Sequence, residues 1–110
     1  MPEDCENRSK ILCLARAAIA NNNTDFVPRR KNRETLAQLG MMPSDIYDKI
    51  NELTKDDWHG GPKPDDDPRK PDPIWEFKKM VDGKRIYIKF KIVQNENNLL
   101  RVIGFHFDGM

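Results

Sequence analysis

Glu76, Lys78, Tyr87, Lys89, Lys91 and His106 are the residues whose types and spacing in this 110-residue chain could do chemistry. The run from Ile86 to Ile92 alternates β-branched or aromatic residues with polar ones, the mark of a strand with one buried face. Ile86, Ile88, Phe90 and Ile92 point one way, and Tyr87, Lys89 and Lys91 the other. If Ile103, Phe105 and Phe107 face the same core from the next strand, His106 joins Tyr87 and Lys89. Turning Trp75 and Phe77 inward sends Glu76 and Lys78 outward. A carboxylate, a phenol, several ammonium groups and an imidazole then share one sheet surface. Directly opposed side chains on adjacent strands lie about 5 Å apart, so these groups can act on one small target.

Such a face has two readings. One is a solvated sheet surface, on which Lys and Tyr are ordinary and His106 incidental. The other is an acid–base site for cleaving RNA, whose 2′-OH is a built-in nucleophile. The protein must then deprotonate that hydroxyl, protonate the leaving 5′-oxygen and stabilise a phosphorane. Histidine suits proton transfer because its pKa lies near neutrality, and cations aimed at the developing charge add an electrostatic term. Glu76 or His106 could be the base, and Lys89, Lys91 or Arg85 the phosphate clamp. Tyr87 could position the phosphate or stack on a base. Lys78, Arg101 and His59 are further candidates for substrate contact. His59 has no second His or Cys at ligand spacing and reads as a cap or surface residue rather than a catalytic one.

Other chemistries have less in their favour. The Asp65-Asp66-Asp67 run looks like a cation site, but such runs are usually solvated loop charge, and neither metal nor cofactor is expected. There is no GxxxxGK[ST] and no GxGxxG after a strand, and no Ser or Cys stands in a nucleophile context. Phosphate-loop NTPases and dehydrogenases are thereby disfavoured. Cys5 and Cys13, eight apart on a helix, are too distant for a disulfide and are expected to be reduced thiols. No apolar run spans a membrane and no secretory h-region opens the chain, so a soluble cytoplasmic protein is expected. The net charge is only +1, unevenly spread. Residues 74–110 hold seven Lys or Arg against four Asp or Glu, residues 54–73 hold four against six, and residues 1–53 balance at eight each. The positive end coincides with the expected sheet, which favours an anionic ligand there.

The elements that must position these residues follow from periodicity and turn chemistry. The length gives one domain, and the helices followed by a β-meander make it α+β. Residues 5–21 form an amphipathic helix with Ile11, Leu14, Ala15, Ala18 and Ile19 as its stripe, ended by Asn21-Asn22-Asn23. Asp25-Phe26-Val27 makes a short strand. A basic cluster, Arg29, Arg30, Lys31 and Arg33, follows with Asn32 as an N-cap; it could contact RNA phosphates or equally be a solvated helix start. Thr35–Leu39 is a short helix closed by Gly40, and Pro43 opens another reaching Leu53. Thr54-Lys55-Asp56-Asp57 has capping-box spacing and begins a single turn ending near Trp58-His59. Residues 60–73, rich in Gly, Pro and Asp, are expected to be irregular. Asp82-Gly83 marks a tight hairpin, and Gln94–Asn98 joins the last two strands of an antiparallel meander covered on one face by the N-terminal helices.

The chain's motifs, taken in order, resemble a known family. They are Leu36-x-x-Leu39, Ile50-x-x-Leu53-Thr54-x-x-Asp57-Trp58, Gly61-Pro62-x-x-Asp65, Trp75-Glu76-Phe77, Gly83-x-x-Ile86-Tyr87-Ile88-Lys89 and Ile103-x-Phe105-His106. The set is similar to the MqsR-like (motility quorum-sensing regulator) toxins of type II toxin–antitoxin modules, within the wider RelE-like group, over about residues 24–107. The resemblance implies a small domain that cleaves mRNA, free or on the ribosome, and is neutralised by an antitoxin, expected to be encoded adjacently and to carry a helix-turn-helix. Family positions used for cleavage carry Gln, Tyr and Lys, and fall here on Glu76, Tyr87 and His106. A further family Lys falls near His59-Gly60, where this sequence has none. The two replacements shift the site from cation-rich chemistry towards His/Glu acid–base chemistry. The alternative is a non-catalytic module that binds RNA or protein through the same face.

Overall fold

A computed structural model describes residues 2–109, with side chains for residues 7–109. Cys13 is a free, exposed thiol; the side chain of Cys5 lies outside the described residues. The order is α1 (Pro2–Ala20), β1 (Thr24–Phe26), α2 (Arg30–Leu39), α3 (Asp45–Asn51), a 3-10 turn (Lys55–Asp57), β2 (Trp58–Lys63), β3 (Ile74–Val81), β4 (Lys84–Val93), a second 3-10 turn (Gln94–Glu96) and β5 (Leu99–Phe107). Among the described residues these strands form one open sheet in the order β1-β5-β4-β3-β2. All neighbours are antiparallel except β1, which runs parallel to β5. No described helix is long and apolar enough to cross a membrane.

One face of the sheet carries the core. Trp75, Phe77, Ile86, Ile88, Phe90, Leu100, Val102 and Phe105 meet Ile11, Leu12, Ala15 and Ala18 of α1, Leu36 of α2, and Ile46, Ile50 and Leu53 on and beside α3. The rings of Phe77 and Phe90 stack at 5.5 Å. At about 25 cal/mol per Å² of apolar surface removed from water, this cluster is the main force holding helices to sheet. Arg16 of α1 donates to the carbonyls of Asn51 and Leu53, capping the end of α3. Asp82 and Gly83 both take positive φ, 51° and 77°, the geometry of a turn that matches strand twist.

Several expectations need correction. The sheet is five-stranded and mixed, because the meander acquires β1 on one edge and β2 on the other. Part of the segment expected to be irregular is β2, paired to β3 through two register irregularities, one between Trp58 and Gly60 and one between Gly60 and Lys63. Gly, Pro and Lys hide a strand that is bulged and on an edge, where Pro is tolerated. In α1 it is Leu12 that is buried and Leu14 that is 39% exposed. Helix α2 begins five residues before Thr35, since its inward stripe (Asn32, Thr35, Leu36) is mostly polar and gives no apolar period. Asn32 is therefore no N-cap; Arg29 holds that position without a side-chain cap.

Strand β5 departs from simple alternation at one residue. Phe90 pairs with Val102 and Lys89 with Gly104, so Ile103 is an extra residue, a β-bulge. Leu100 and Val102 before it, and Phe105 and Phe107 after it, all face the core side. Ile103 itself lines the polar-face cavity instead of facing inward with Phe105. The bulge reverses the strand's parity and delivers Gly104 and His106 to the face that carries Lys89 and Tyr87.

Asn32 holds this bulge. Beyond Val27, whose N–H donates to the Val102 carbonyl, the outer edge of β5 has no strand beside it among the described residues. The Asn32 side-chain amide donates to the Ile103 and Val27 carbonyls and accepts from the Phe105 N–H, each at 2.9 Å. Thr35 Oγ1 accepts from the Phe107 N–H at 3.3 Å. Two fully buried side chains of α2 thus continue the ladder that β1 begins. Removing a partner from a buried backbone group costs about 1–3 kcal/mol. Asn32→Leu should lower stability by about 2–4 kcal/mol, and Asn32→Asp, which keeps only the acceptor, should also be destabilised. Urea unfolding followed by Trp fluorescence measures both; a wild-type midpoint for Asn32→Leu would overturn the role.

Candidate active site

The polar face is built on three strands. Pairing sets Glu76 opposite Lys89, Lys78 opposite Tyr87, Tyr87 opposite His106, and Lys89 opposite Gly104. Glu76, Tyr87, Lys89 and His106 come together. Glu76 is 7% exposed and both of its oxygens are engaged. Oε1 accepts from Lys63 Nζ at 2.7 Å, and Oε2 accepts from the Tyr87 hydroxyl. Gly60 makes this possible: a Cβ there would lie 2.6 Å from Glu76 Oε1.

Burial pushes the Glu76 carboxyl up, but the hydrogen bonds from Lys63 and Tyr87 and the charges of Lys63 and Lys89 outweigh it. The group is held below its usual value and is a carboxylate at neutral pH. Burial, the bond to Glu76 and the negative charge beside it push the Tyr87 phenol well above its ordinary value. Tyr87 is therefore a neutral donor whose proton is committed to Glu76. The pair locks the ring in place.

That ring is flanked by both histidines. His106 stacks on it at 5.2 Å between centroids and 28° between planes. His59, reaching over β3 from β2, meets it edge-on at 6.2 Å. His106 Nδ1 lies 3.0 Å from the Phe107 carbonyl oxygen. A carbonyl only accepts, so Nδ1 is the donor, which in the neutral imidazole leaves the lone pair on Nε2. Nε2 is turned towards Gly104, where an added Cβ would sit 3.7 Å from it and 3.3 Å from Lys89 Cβ. The missing side chain leaves a cavity of about 420 Å³ between Tyr87, Lys89, His106 and Ile103 on the sheet and Arg29, Arg30 and Lys31 at the start of α2. The basic cluster and the polar face thus meet in one cation-lined hollow.

The other candidates lie around or away from it. Lys78 bonds to Asp108 at 3.2 Å. His59, Lys78 and Arg85 line a second cavity with Asp56, Asp57 and Met80. Lys91 is 3% exposed and pairs with Asp65 at 2.9 Å, so its ammonium is committed to the 64–73 segment. Arg101 bonds to Asp25 and Glu96 at the far end of β5. Of the Asp run, Asp65 is taken by Lys91 and Asp67 by Arg69. Lys63 and Gly104 were missed by sequence reasoning: the first sits in a stretch read as irregular, and the second shows only as an isolated Gly inside a strand, a signal for a bulge or a close approach. No family model, curated protein or solved structure matches the chain.

The lowered Glu76 carboxyl ties stability to pH. Its contribution is complete above the ordinary value of 4.5 and is lost as the pH falls through the lower folded value. Urea midpoints taken from about pH 7 down to about pH 3 should fall less steeply in Glu76→Gln than in wild type. Parallel acid limbs in the two proteins would show that Glu76 is not held in this way.

Proposed function

We propose that this chain is an endoribonuclease of the MqsR-like toxin kind. It cleaves single-stranded mRNA through attack of the 2′-OH and is restrained by a protein antitoxin in the cytoplasm. One arrangement carries the reading: His106 Nε2 is turned towards a hollow lined by Lys89 and the Arg29–Lys31 cluster. An RNA phosphate seated there is neutralised by the cations while its neighbouring 2′-OH reaches the imidazole. Uptake of the hydroxyl proton by His106 and stabilisation of the phosphorane by Lys89 and the α2 cations are two of the three terms such cleavage needs, the third being a proton for the leaving 5′-oxygen. The nucleophile comes from the substrate, so the reaction calls for no metal-bound hydroxide.

Glu76 and Tyr87 act as positioning residues in this scheme. Glu76, with both oxygens engaged, fixes the Tyr87 hydroxyl, and the Tyr87 ring supports His106. Lys63 completes the arrangement by balancing the carboxylate. A non-catalytic binding module is the second reading. It is favoured by the commitment of the Tyr87 proton and of both Glu76 oxygens, which leaves His106 as the proton acceptor in that hollow.

Purified protein incubated with single-stranded RNA in EDTA separates the two readings. Cleavage should leave 2′,3′-cyclic phosphate and 5′-hydroxyl ends, and a substrate with 2′-deoxy sugars should be bound but uncut. His106→Ala should slow cleavage by about 10²- to 10⁴-fold and relieve growth arrest on expression. RNA that is retarded but intact with the wild-type protein would establish the binding module instead. Gly104→Leu, which fills the hollow, should weaken RNA retention in a filter-binding assay, and unchanged retention would show that RNA does not use the hollow.

A further inference from the structure

We propose that the cavity between the 3-10 turn before β2 and the β3–β4 hairpin is a base site, where Asp56 selects bases that carry an exocyclic amino group. The base belongs to the RNA strand whose phosphate occupies the Gly104 hollow, so the proposal rests on the RNA reading above. The two sites differ in the charge they offer. The hollow is lined by Arg29, Lys31 and Lys89 with no acidic side chain, which suits a phosphate. The second cavity, of about 340 Å³, sets Asp56 and Asp57 among Lys78, Lys79 and Arg85 and adds the ring of His59. A phosphate gains little where charges of both signs meet. A base edge gains from both, because it carries N–H donors beside oxygen or nitrogen acceptors.

Most polar groups of this cavity are already engaged. Asp57 accepts from the Thr54 N–H at 2.8 Å and from its hydroxyl at 3.4 Å. Lys78 bonds to Asp108, and Lys79 lies 3.7 Å from Glu52. Trp58 gives its indole N–H to the Gly61 carbonyl at 3.1 Å and carries the Arg8 guanidinium 3.6 Å above its ring, so it serves as a wall. Among the described residues no hydrogen bond or ion pair engages the Asp56 carboxylate or the Arg85 guanidinium, and both residues are exposed. They supply the acceptor and the donor for a bound base. His59, exposed and edge-on to the Tyr87 ring at 6.2 Å, supplies an aromatic ring for stacking.

One strand can serve both sites, because they share the polar face. Lys78 of the cavity is paired with Tyr87 of the hollow, and Arg85 stands two residues before Tyr87 on the same side of β4. Two strand spacings, about 10 Å, separate β5 from β3. A few nucleotides, each rising about 3.4 Å when stacked, cover that span. The bases must be unpaired for their edges to be read. Selection follows from the carboxylate. It accepts from the amino group of adenine, cytosine or guanine, whereas the one N–H on the uracil edge is flanked by two carbonyl oxygens that repel it.

Fluorescence anisotropy with labelled hexanucleotide homopolymers tests this, on a His106→Ala background so that RNA is bound and not cut. Oligo(A) and oligo(C) should bind more tightly than oligo(U) by about 5- to 100-fold, the discrimination of one good side-chain–base pair. Adding Asp56→Asn should bring the three affinities close together. Loss of a negative charge alone tightens all three in proportion, so their ratio isolates the base contact. Equal binding of the three before Asp56 is changed, or an unchanged ratio afterwards, would overturn the base site and leave the RNA reading intact. A protein that binds none of them would overturn the RNA reading, and the base site with it.

Discussion

The amide of Asn32 is the contact on which the arrangement of the sheet depends. Strand β5 is central for its first half, with β1 on one side and β4 on the other, and then runs past the end of β1. A buried strand edge with unpaired N–H and C=O groups is costly. A side-chain amide offers one donor group and one acceptor at nearly the spacing of a peptide unit. Asn32 uses them on Ile103 and Phe105 as a neighbouring parallel strand would, and its second N–H reaches Val27. This one residue ties the end of β1, the first turn of α2 and the bulge of β5 together. It also sets where the cations of the α2 start stand relative to Lys89 and His106.

The polar face is arranged by charge in two zones. Around Glu76 the charges are satisfied: the carboxylate is compensated by Lys63 and hydrogen-bonded by Tyr87, and the group is buried. Burying a carboxylate without partners would be expensive, and removing one partner would leave the other charge exposed to that cost. Around Gly104 the balance tips the other way, with Lys89, Arg29 and Lys31 lining an open hollow beside Arg30, which is paired with Glu34. The near-neutral total charge of the chain hides this local excess. Apart from both zones, Lys91 and Asp65 form a closed pair that fastens the 64–73 segment to β4.

Much of this was legible in the sequence, and what was not had definite physical reasons. The alternation in β4 is unbroken, so its two faces could be assigned, and Glu76 and Lys78 followed from the apolar Trp75 and Phe77. Placing His106 beside Tyr87 needed Phe105 and Phe107 to point inward, which they do. The same reasoning misplaced Ile103, because a bulge is set by backbone pairing and leaves no period of its own. Strand β2 was hidden by Gly60, Gly61 and Pro62, residues that speak against regular strands. Helix α2 was shortened because its inner face is Asn and Thr, which propensity assigns to caps and turns. The ion pair that removes Lys91 from service could not be read from a run of three aspartates.

The bulge at Ile103 has a consequence for how this strand can change over time. Side chains in a strand alternate strictly, so the second half of β5 is defined by counting from Val102 to Phe105. Exchange of Ile103 for another apolar residue keeps the count. Loss of Ile103 would remove the bulge and leave regular alternation, with Gly104 following Val102 on the polar face, Phe105 and Phe107 still inward and His106 still opposite Tyr87. What the extra residue adds is local: Ile103 and Gly104 stand in succession beside the hollow, where a regular strand would present one residue.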